Sequence, residues 1–183
     1  IELKSQELGI DIGPDREVLG RVVDRVKDLE SHGYTFEAAD ASFELLLRAE
    51  ISGAKLHFFT VDEWSTTVDK SANGVVTSRA SVKITARGKS YEATGTGNGP
   101  VNAIDRALRT GLESIYPELA VLELTDYKVR ILENTGNTSA RTRVLIESGD
   151  GAQIWGTVGV SDNIIDASWE ALRESVEFKL SQT

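Results

Sequence analysis

One stretch limits the fold of this chain more than any other: Gly95-Thr96-Gly97-Asn98-Gly99-Pro100-Val101-Asn102-Ala103-Ile104-Asp105-Arg106-Ala107-Leu108. A strand-like run ends in a glycine-rich turn, and an amphipathic helix begins at Pro100, where the missing N–H costs nothing. A weaker copy follows 61 positions later, with Gly95, Thr96, Asn102, Ile104 and Asp105 aligned on Gly156, Thr157, Asn163, Ile165 and Asp166. A duplicated turn-plus-helix unit with little catalytic equipment reads as a two-fold binding or regulatory module.

The periodicities around the turns give the architecture. Pro14-Asp15 signals a helix start, and Val18, Leu19, Val22, Val23, Val26 and Leu29 follow at helical spacing until Gly33. Thr35 is the expected N-cap of a second helix with the stripe Phe36, Ala39, Phe43, Leu46 and Leu47. Two helices alone bury little core, so their apolar stripes must dock elsewhere. From Leu56 the pattern alternates. A strand bent near Asp62-Glu63, the tight turn Asn73-Gly74, a strand over 75–86, a turn at Arg87-Gly88-Lys89 and a third strand precede the helix. Its stripe is Ile104, Ala107, Leu108, Gly111, Leu112 and Ile115. The second unit repeats the order: a strand pair or one bent strand over 121–133, a turn at Asn134-Thr135-Gly136-Asn137, and strands over 140–147 and 153–160. Val144 and Ile146 match Val82 and Ile84. The last helix carries Ile165, Ser168, Trp169, Leu172 and Val176 against Ile104, Ala107, Leu108, Gly111 and Ile115. The predicted fold is α+β: a helical linker subdomain over 1–53, then a duplicated βββα domain over 54–183, split into 54–117 and 118–183. Antiparallel sheets carry their helices on one face.

Charge and composition exclude whole classes. A net charge of −9 repels nucleic acid, whose binding draws on Lys and Arg, and repels an anionic membrane. An αβββα order also suits a double-stranded RNA-binding module, but the Glu-rich last helix and acidic total argue against one. No apolar run approaches the roughly 20 residues that span a bilayer. Cys is absent, so disulfides and thiolate chemistry are excluded, and a cytoplasmic location is expected. The chain has no Met and opens in mid-pattern at Ile1, so it is expected to be part of a longer protein.

Few residues carry chemistry. His32 and His57 lie in different segments, and no His/carboxylate cluster stands at metal spacing. No catalytic residue and no metal ligand is therefore assigned. Gly88-Lys89-Ser90 lacks the first glycine of a P-loop, and Gly95-x-Gly97-x-Gly99 is not the dinucleotide fingerprint. The Asn137-Thr138-Ser139 sequon reads as a chance match in a turn. Acidic runs over 24–30 and 170–177 alternate with Lys and Arg, as solvated helix faces do. Asp105 and Asp166 suit the positive end of the helix dipole in the first turns of their helices. The glycine turn is the main candidate. A helix N-terminus offers unpaired N–H donors suited to a carboxylate, and Gly97 and Gly99 let a ligand approach the backbone. Alternatively, the glycines serve only a tight turn with positive φ. Leu124, Tyr127 and Ile131 form either a pocket wall or ordinary core, with Leu124 joining the other two only across a bulge near Thr125-Asp126.

Three signatures resemble the C-terminal part of the 2-isopropylmalate synthase and citramalate synthase family. They are Gly33-Tyr34-Thr35-Phe36-Glu37-Ala38-Ala39-Asp40-Ala41-Ser42-Phe43-Glu44-Leu45-Leu46, Gly97-Asn98-Gly99-Pro100-Val101-Asn102-Ala103 and Trp155-Gly156-Thr157-Val158-Gly159-Val160-Ser161. The first is closer to the citramalate branch. The resemblance implies a feedback-regulatory and dimerisation domain, hence a homodimer, that binds isoleucine or leucine. It implies that Gly97, Asn98, Gly99, Val101 and Asn102 form the turn side of the effector site. Leu124, Tyr127 and Ile131 would form an apolar wall, with Val160 and Ser161 contributing from the second unit. The second copy has Val158 and Ser161 where the first has Gly97 and Pro100, so two such sites would be unequal. The parent's divalent metal and acetyl-CoA would belong to an N-terminal TIM-barrel catalytic domain, with no cofactor in this part. A purely structural dimerisation domain is the bland alternative.

Overall fold

The computed structural model of the protein describes residues 2–10, 16–132 and 140–183. The Pro14-Asp15 start, the turn at Asn134-Thr135-Gly136-Asn137 and the Asn137-Thr138-Ser139 sequon lie outside the described residues. In chain order the elements are α1 (Glu2–Glu7), α2 (Arg16–Ser31), α3 (Asp40–Ser52), β1 (Phe59–Lys70), β2 (Val76–Ala86), β3 (Lys89–Gly97), α4 (Pro100–Glu113), a 3₁₀ turn (Pro117–Val121), β4 (Glu123–Leu132), β5 (Arg141–Gly149), β6 (Ile154–Ser161) and α5 (Ile164–Ser181). Two antiparallel three-stranded sheets, β1-β2-β3 and β4-β5-β6, each precede a helix, which is the α+β, twice-βββα architecture expected. The chain divides into two compact units, one of Ile1–Leu56 with Glu123–Ser181, the other of His57–Leu122 with Gln182–Thr183.

In the unit His57–Leu122, alternation along β2 puts Ala80, Val82 and Ile84 on one buried face, and α4 covers it with Ile104, Ala107, Leu108 and Leu112. The expected bend in β1 is a bulge: the register slips between Val61 and Glu63, leaving Asp62 without a partner in the ladder. Asp62 instead accepts a hydrogen bond from Thr85 Oγ1 at 2.7 Å. The β2–β3 hairpin turns through Arg87 and Gly88, both at positive φ, as a tight two-residue turn requires. The Arg87 guanidinium then rests 4.9 Å from the centre of the Tyr116 ring. Asp105 stands in the second turn of α4, not the first, and it is buried. Burial raises its pKa against the opposing pull of Arg109. That arginine grips the carboxylate at 2.6 Å and donates to the Leu122 carbonyl at 2.8 Å. The Asp105–Arg109 pair thereby ties the end of the 3₁₀ turn back to α4.

In the other unit α5 covers one face of the sheet through Val144 and Ile146, while the helical segment covers the opposite face of β6. Val158 is fully buried there among Val22, Val26, Phe36, Ala39, Phe43 and Leu47. Each such side chain contributes roughly 1.5–3 kcal/mol of burial. This is where the stripes of the two linker helices dock. The second helix starts at Asp40, with Ala39 at its N-cap, and not at Thr35. Phe36 and Ala39 reach the core from an irregular segment that lies flat on β6. A Cβ at Gly156 would stand 1.9 Å from the Ala38 carbonyl oxygen, so only glycine lets the two backbones meet.

The acidic run over 170–177 is not a solvated face. Glu170 accepts from Tyr34 Oη at 2.7 Å and from the Val160 amide at 3.0 Å. Glu174 accepts from Ser42 Oγ, which itself accepts from the Val158 amide at 3.0 Å. Glu177 pairs with Arg173 at 2.9 Å and is nearly inaccessible. Because α5 has the sheet on one side and α3 on the other, its charged residues are drawn into that second seam.

Packing also corrects the alignment of the two repeats. A Cβ at Gly95 would lie 2.4 Å from the Ala103 oxygen and 2.5 Å from the Ala107 nitrogen. One at Gly159 would lie 2.0 Å from the Ala167 oxygen and 3.1 Å from the Ala171 nitrogen. Gly95 therefore answers to Gly159, three positions beyond the match to Gly156. Gly95 pairs with Ala80 and Gly159 with Val144, so Val144 answers to Ala80, and Ile146 to Val82. In the same frame Ala107, Leu108 and Gly111 answer to Ala171, Leu172 and Ser175. Ser161 stands where the first copy has Gly97, and Ile164 stands where it has Pro100.

Candidate functional site

Of the residues assigned to the effector, Gly97, Asn98, Gly99, Val101 and Asn102 meet at the β3–α4 turn of one unit. Leu124, Tyr127, Ile131, Val160 and Ser161 belong to the other unit. The three glycines of the turn divide by cause. None of them has positive φ, so the tight-turn reading fails. Gly95 is required by close packing of α4 on β3. At Gly97 a Cβ would meet Asn102 Oδ1 at 2.5 Å and the Ala103 nitrogen at 2.8 Å. Gly99 is extended (φ −158°, ψ 166°), and a Cβ there meets nothing within 4 Å. Neither packing nor backbone conformation calls for glycine at position 99.

Gly99 is the N-cap of α4 and offers no side chain to the helix start. Pro100 has no N–H, and the Ala103 amide bonds to the Gly99 carbonyl at 3.0 Å. Among the described residues no side chain caps the helix start, which leaves the amides of Val101 and Asn102 as donors at the positive end of the helix dipole. An open recess of about 420 Å³ lies at the end of β3, lined by Ser78, Arg79, Gly97, Asn98 and Arg106 among others. That volume falls in the range of roughly 300–1,000 Å³ typical of small-molecule sites. Arg106 reaches back to the Thr96 carbonyl at 3.1 Å, and Arg79 stands 3.8 Å from Asp69. Arg106 brings a guanidinium to this recess, whereas Arg79 projects from the face of β2 opposite to Ser78, towards Asp69. Ser78 was missed in the sequence because a serine alternating with alanine and valine reads as strand surface. It is 1% exposed, and its Oγ has no hydrogen-bond partner among the described residues. Buried hydroxyls are paired as a rule.

On β4 the predicted bulge is present: the register slips between Leu124 and Asp126, which puts Leu124 on the face of Tyr127 and Ile131. Ile131 is 68% exposed, while Tyr127 is half-buried and its hydroxyl bonds to Ser168 Oγ at 2.9 Å. Val160 and Ser161 close β6, where Val160 donates to Glu170. Ser161 Oγ accepts from the Asn163 amide at 3.2 Å. Among the described residues no group of three or more His, Asp or Glu is placed to hold a metal. No helix of the described residues is long and apolar enough to cross a membrane.

The fold and turn define a duplicated βββα binding or regulatory module. Comparison with known proteins gives its family: the LeuA allosteric (dimerisation) domain matches residues 37–180. Over 98% of its length the chain is 56% identical to an (R)-citramalate synthase of Streptomyces coelicolor, covering 34% of that protein. An (R)-citramalate synthase of Aquifex aeolicus is 47% identical over 97% of the chain, again with 34% of the relative covered. A 2-isopropylmalate synthase of Aquifex aeolicus is 30% identical over 96% of the chain and 31% of its own length. The chain belongs to the LeuA allosteric (dimerisation) domain family and stands nearer the citramalate synthase branch. It spans about a third of the length of these relatives.

Proposed function

We propose that this chain is the feedback-regulatory and dimerisation domain of an acetyl-CoA-dependent enzyme that condenses a 2-oxo acid, in branched-chain amino-acid biosynthesis. Its homodimer binds isoleucine or leucine as inhibitor. The observation that carries this reading is the uncapped start of α4, with the Arg106 guanidinium on the same helix. Amides at a helix start and guanidinium groups are donors suited to a carboxylate. The turn residues Gly97, Asn98, Gly99, Val101 and Asn102 take the amino acid's polar head in this proposal. Leu124, Tyr127 and Ile131, with Val160 and Ser161, all of the other unit, are the wall that the resemblance assigns to a branched side chain. The parent's catalytic TIM barrel, divalent metal and acetyl-CoA lie outside this chain.

Isothermal calorimetry of the dimer with isoleucine, leucine and valine tests the reading. Saturable binding of one of the three, with the others weaker, is the expected outcome. Isoleucine and leucine differ in the place of one methyl, so a preference of about 1–3 kcal/mol is the most a hydrophobic wall provides. A folded dimer that binds none of them at millimolar concentration would leave a purely structural dimerisation domain.

A further inference from the structure

Strand order puts β6 at an edge of its sheet, and α3 packs against it there. The Val158 amide donates to Ser42 Oγ on α3 at 3.0 Å, and Ser42 in turn donates to Glu174 on α5. Two residues further along, the Val160 amide donates to Glu170 at 3.0 Å, and Tyr34 Oη donates to the same carboxylate at 2.7 Å. Two carboxylates of α5 are therefore held by two hydroxyls of the helical segment. Each hydroxyl has a single proton to give.

The arginines of the seam bond to other carboxylates. Arg173 draws Glu174 towards ionisation, yet its Nη1 is bonded to both oxygens of Glu177 at 2.9 Å. On α3 Arg48 pairs with Glu44 at 2.6 Å, and on α2 Arg25, which faces Tyr34, pairs with Asp28 at 3.0 Å. From β6 the seam receives only the uncharged Val158 and Val160. Glu170, Glu174 and Glu177 stand at i, i+4 and i+7, so they share one face of α5, and like charges at that spacing repel. Glu174 ionised beside Glu170 is a partly buried charge compensated by one hydroxyl, which is costly until water reaches it. Of the two helices, α5 is held on its other side by β5 and β6. The far end of α3 is less constrained: Gly53 closes it in the left-handed conformation, and residues 53–57 are exposed.

We propose that the seam of α3 and α5 is a proton-operated latch. With Glu174 protonated, α3 stays docked on β6 and α5; with Glu174 ionised, α3 lifts away and frees the Val158 amide while α5 stays on its sheet. The apolar core of Phe43, Leu47 and Val158 keeps the docked form dominant, so the proton sets the small fraction that is open. This device goes beyond the effector reading and does not depend on it. Because burial raises the docked Glu174 carboxyl to about 7, the latch works across neutral pH. Docking is favoured fully below the ordinary carboxyl value of 4.5 and weakens as pH rises through 7. Between pH 6 and 8 the opening equilibrium should therefore rise about tenfold.

Amide hydrogen exchange of the ¹⁵N-labelled chain, corrected at each pH for the intrinsic rate, tests the latch. Val158, whose acceptor is on α3, is expected to lose about tenfold in protection between pH 6 and 8. Val160, whose acceptor is on α5, should change by less than about twofold, as should Val144 in the central strand. In Glu174→Gln the Val158 protection should be high and independent of pH. Unchanged protection of Val158 in the wild type would overturn the proposal, whether or not that variant folds. So would an equal loss at Val158 and Val160, which would mean that α5 moves, or the same decline in Glu174→Gln.

Discussion

Gly95 and Gly99 are four residues apart and answer to different demands. At Gly95 the added methyl of alanine would press on the backbone of α4, and neither strand nor helix can move without breaking its ladder. Gly95→Ala is expected to cost at least ~1–3 kcal/mol, read as a lowered urea midpoint. At Gly99 there is open space and an extended backbone, so Gly99→Val should cost no more than about 1 kcal/mol, through a poorer N-cap. The same valine covers the helix start with a stiff, branched side chain and should abolish effector binding. Equal losses of stability in the two variants would show that the three-way division of the turn glycines is wrong. Tyr127 allows a similar separation. Its hydroxyl bonds to Ser168, so Tyr127→Phe removes the hydrogen bond and keeps the ring, and should hold affinity. Tyr127→Ala should weaken binding by opening the wall, and a loss of stability with unchanged affinity would make the ring plain core.

Between elements, the seam of α3 and α5 is the most sensitive to pH. Burial raises the Glu174 carboxyl from 4.5 to about 7, the nearby Glu170 adds to the rise, and the hydrogen bond from Ser42 opposes it. Arg173 and Glu177 also face this group, the first lowering and the second raising its pKa. The folded chain therefore holds a proton at Glu174 that the unfolded chain releases above 4.5. The stabilisation from this group is complete below that value and is lost as pH rises towards about 7. The integrated loss is about 3 kcal/mol at most. Chemical denaturation between pH 4.5 and 8 should show this decline in the wild type and a flatter profile in Glu174→Gln, which is the more stable of the two at pH 8. Parallel profiles would mean that Glu174 is ionised in the folded state. Tyr34 in the same seam hydrogen-bonds to Glu170, and its pKa is raised above the usual phenol range, first by burial and then by that carboxylate. It keeps its proton throughout this window.

At the scale of the whole molecule, period and punctuation carried most of the fold. Alternation along Ala80, Val82 and Ile84 defined a strand with one buried face, and the slips at Asp62 and Thr125 were legible as breaks in parity. The glycine turn was legible as a candidate site because donor-rich helix starts have a local signature. Ser78 was not, since its importance lies in having no partner, and partners are made in three dimensions. The acidic stretch of α5 misled for a related reason. Alternating charge marks a solvated face only when nothing else packs there, and α3 does.

By itself the sequence determined the kind, order and approximate extent of the elements, because dihedral preference, capping and hydrophobic period act over a few residues. It could not determine which positions of the two repeats are equivalent. Gly95-Thr96 and Gly156-Thr157 look alike as text, but they serve different neighbours: α4 for one, the Ala38 backbone for the other. Only the approach of helix to strand, decided by where a Cβ has room, set Gly95 beside Gly159 and Gly99 beside Asn163. Close packing is a non-local constraint, so tertiary structure alone revealed that Asn163 closes the start of α5 with its own side chain, while the start of α4 has no side-chain cap.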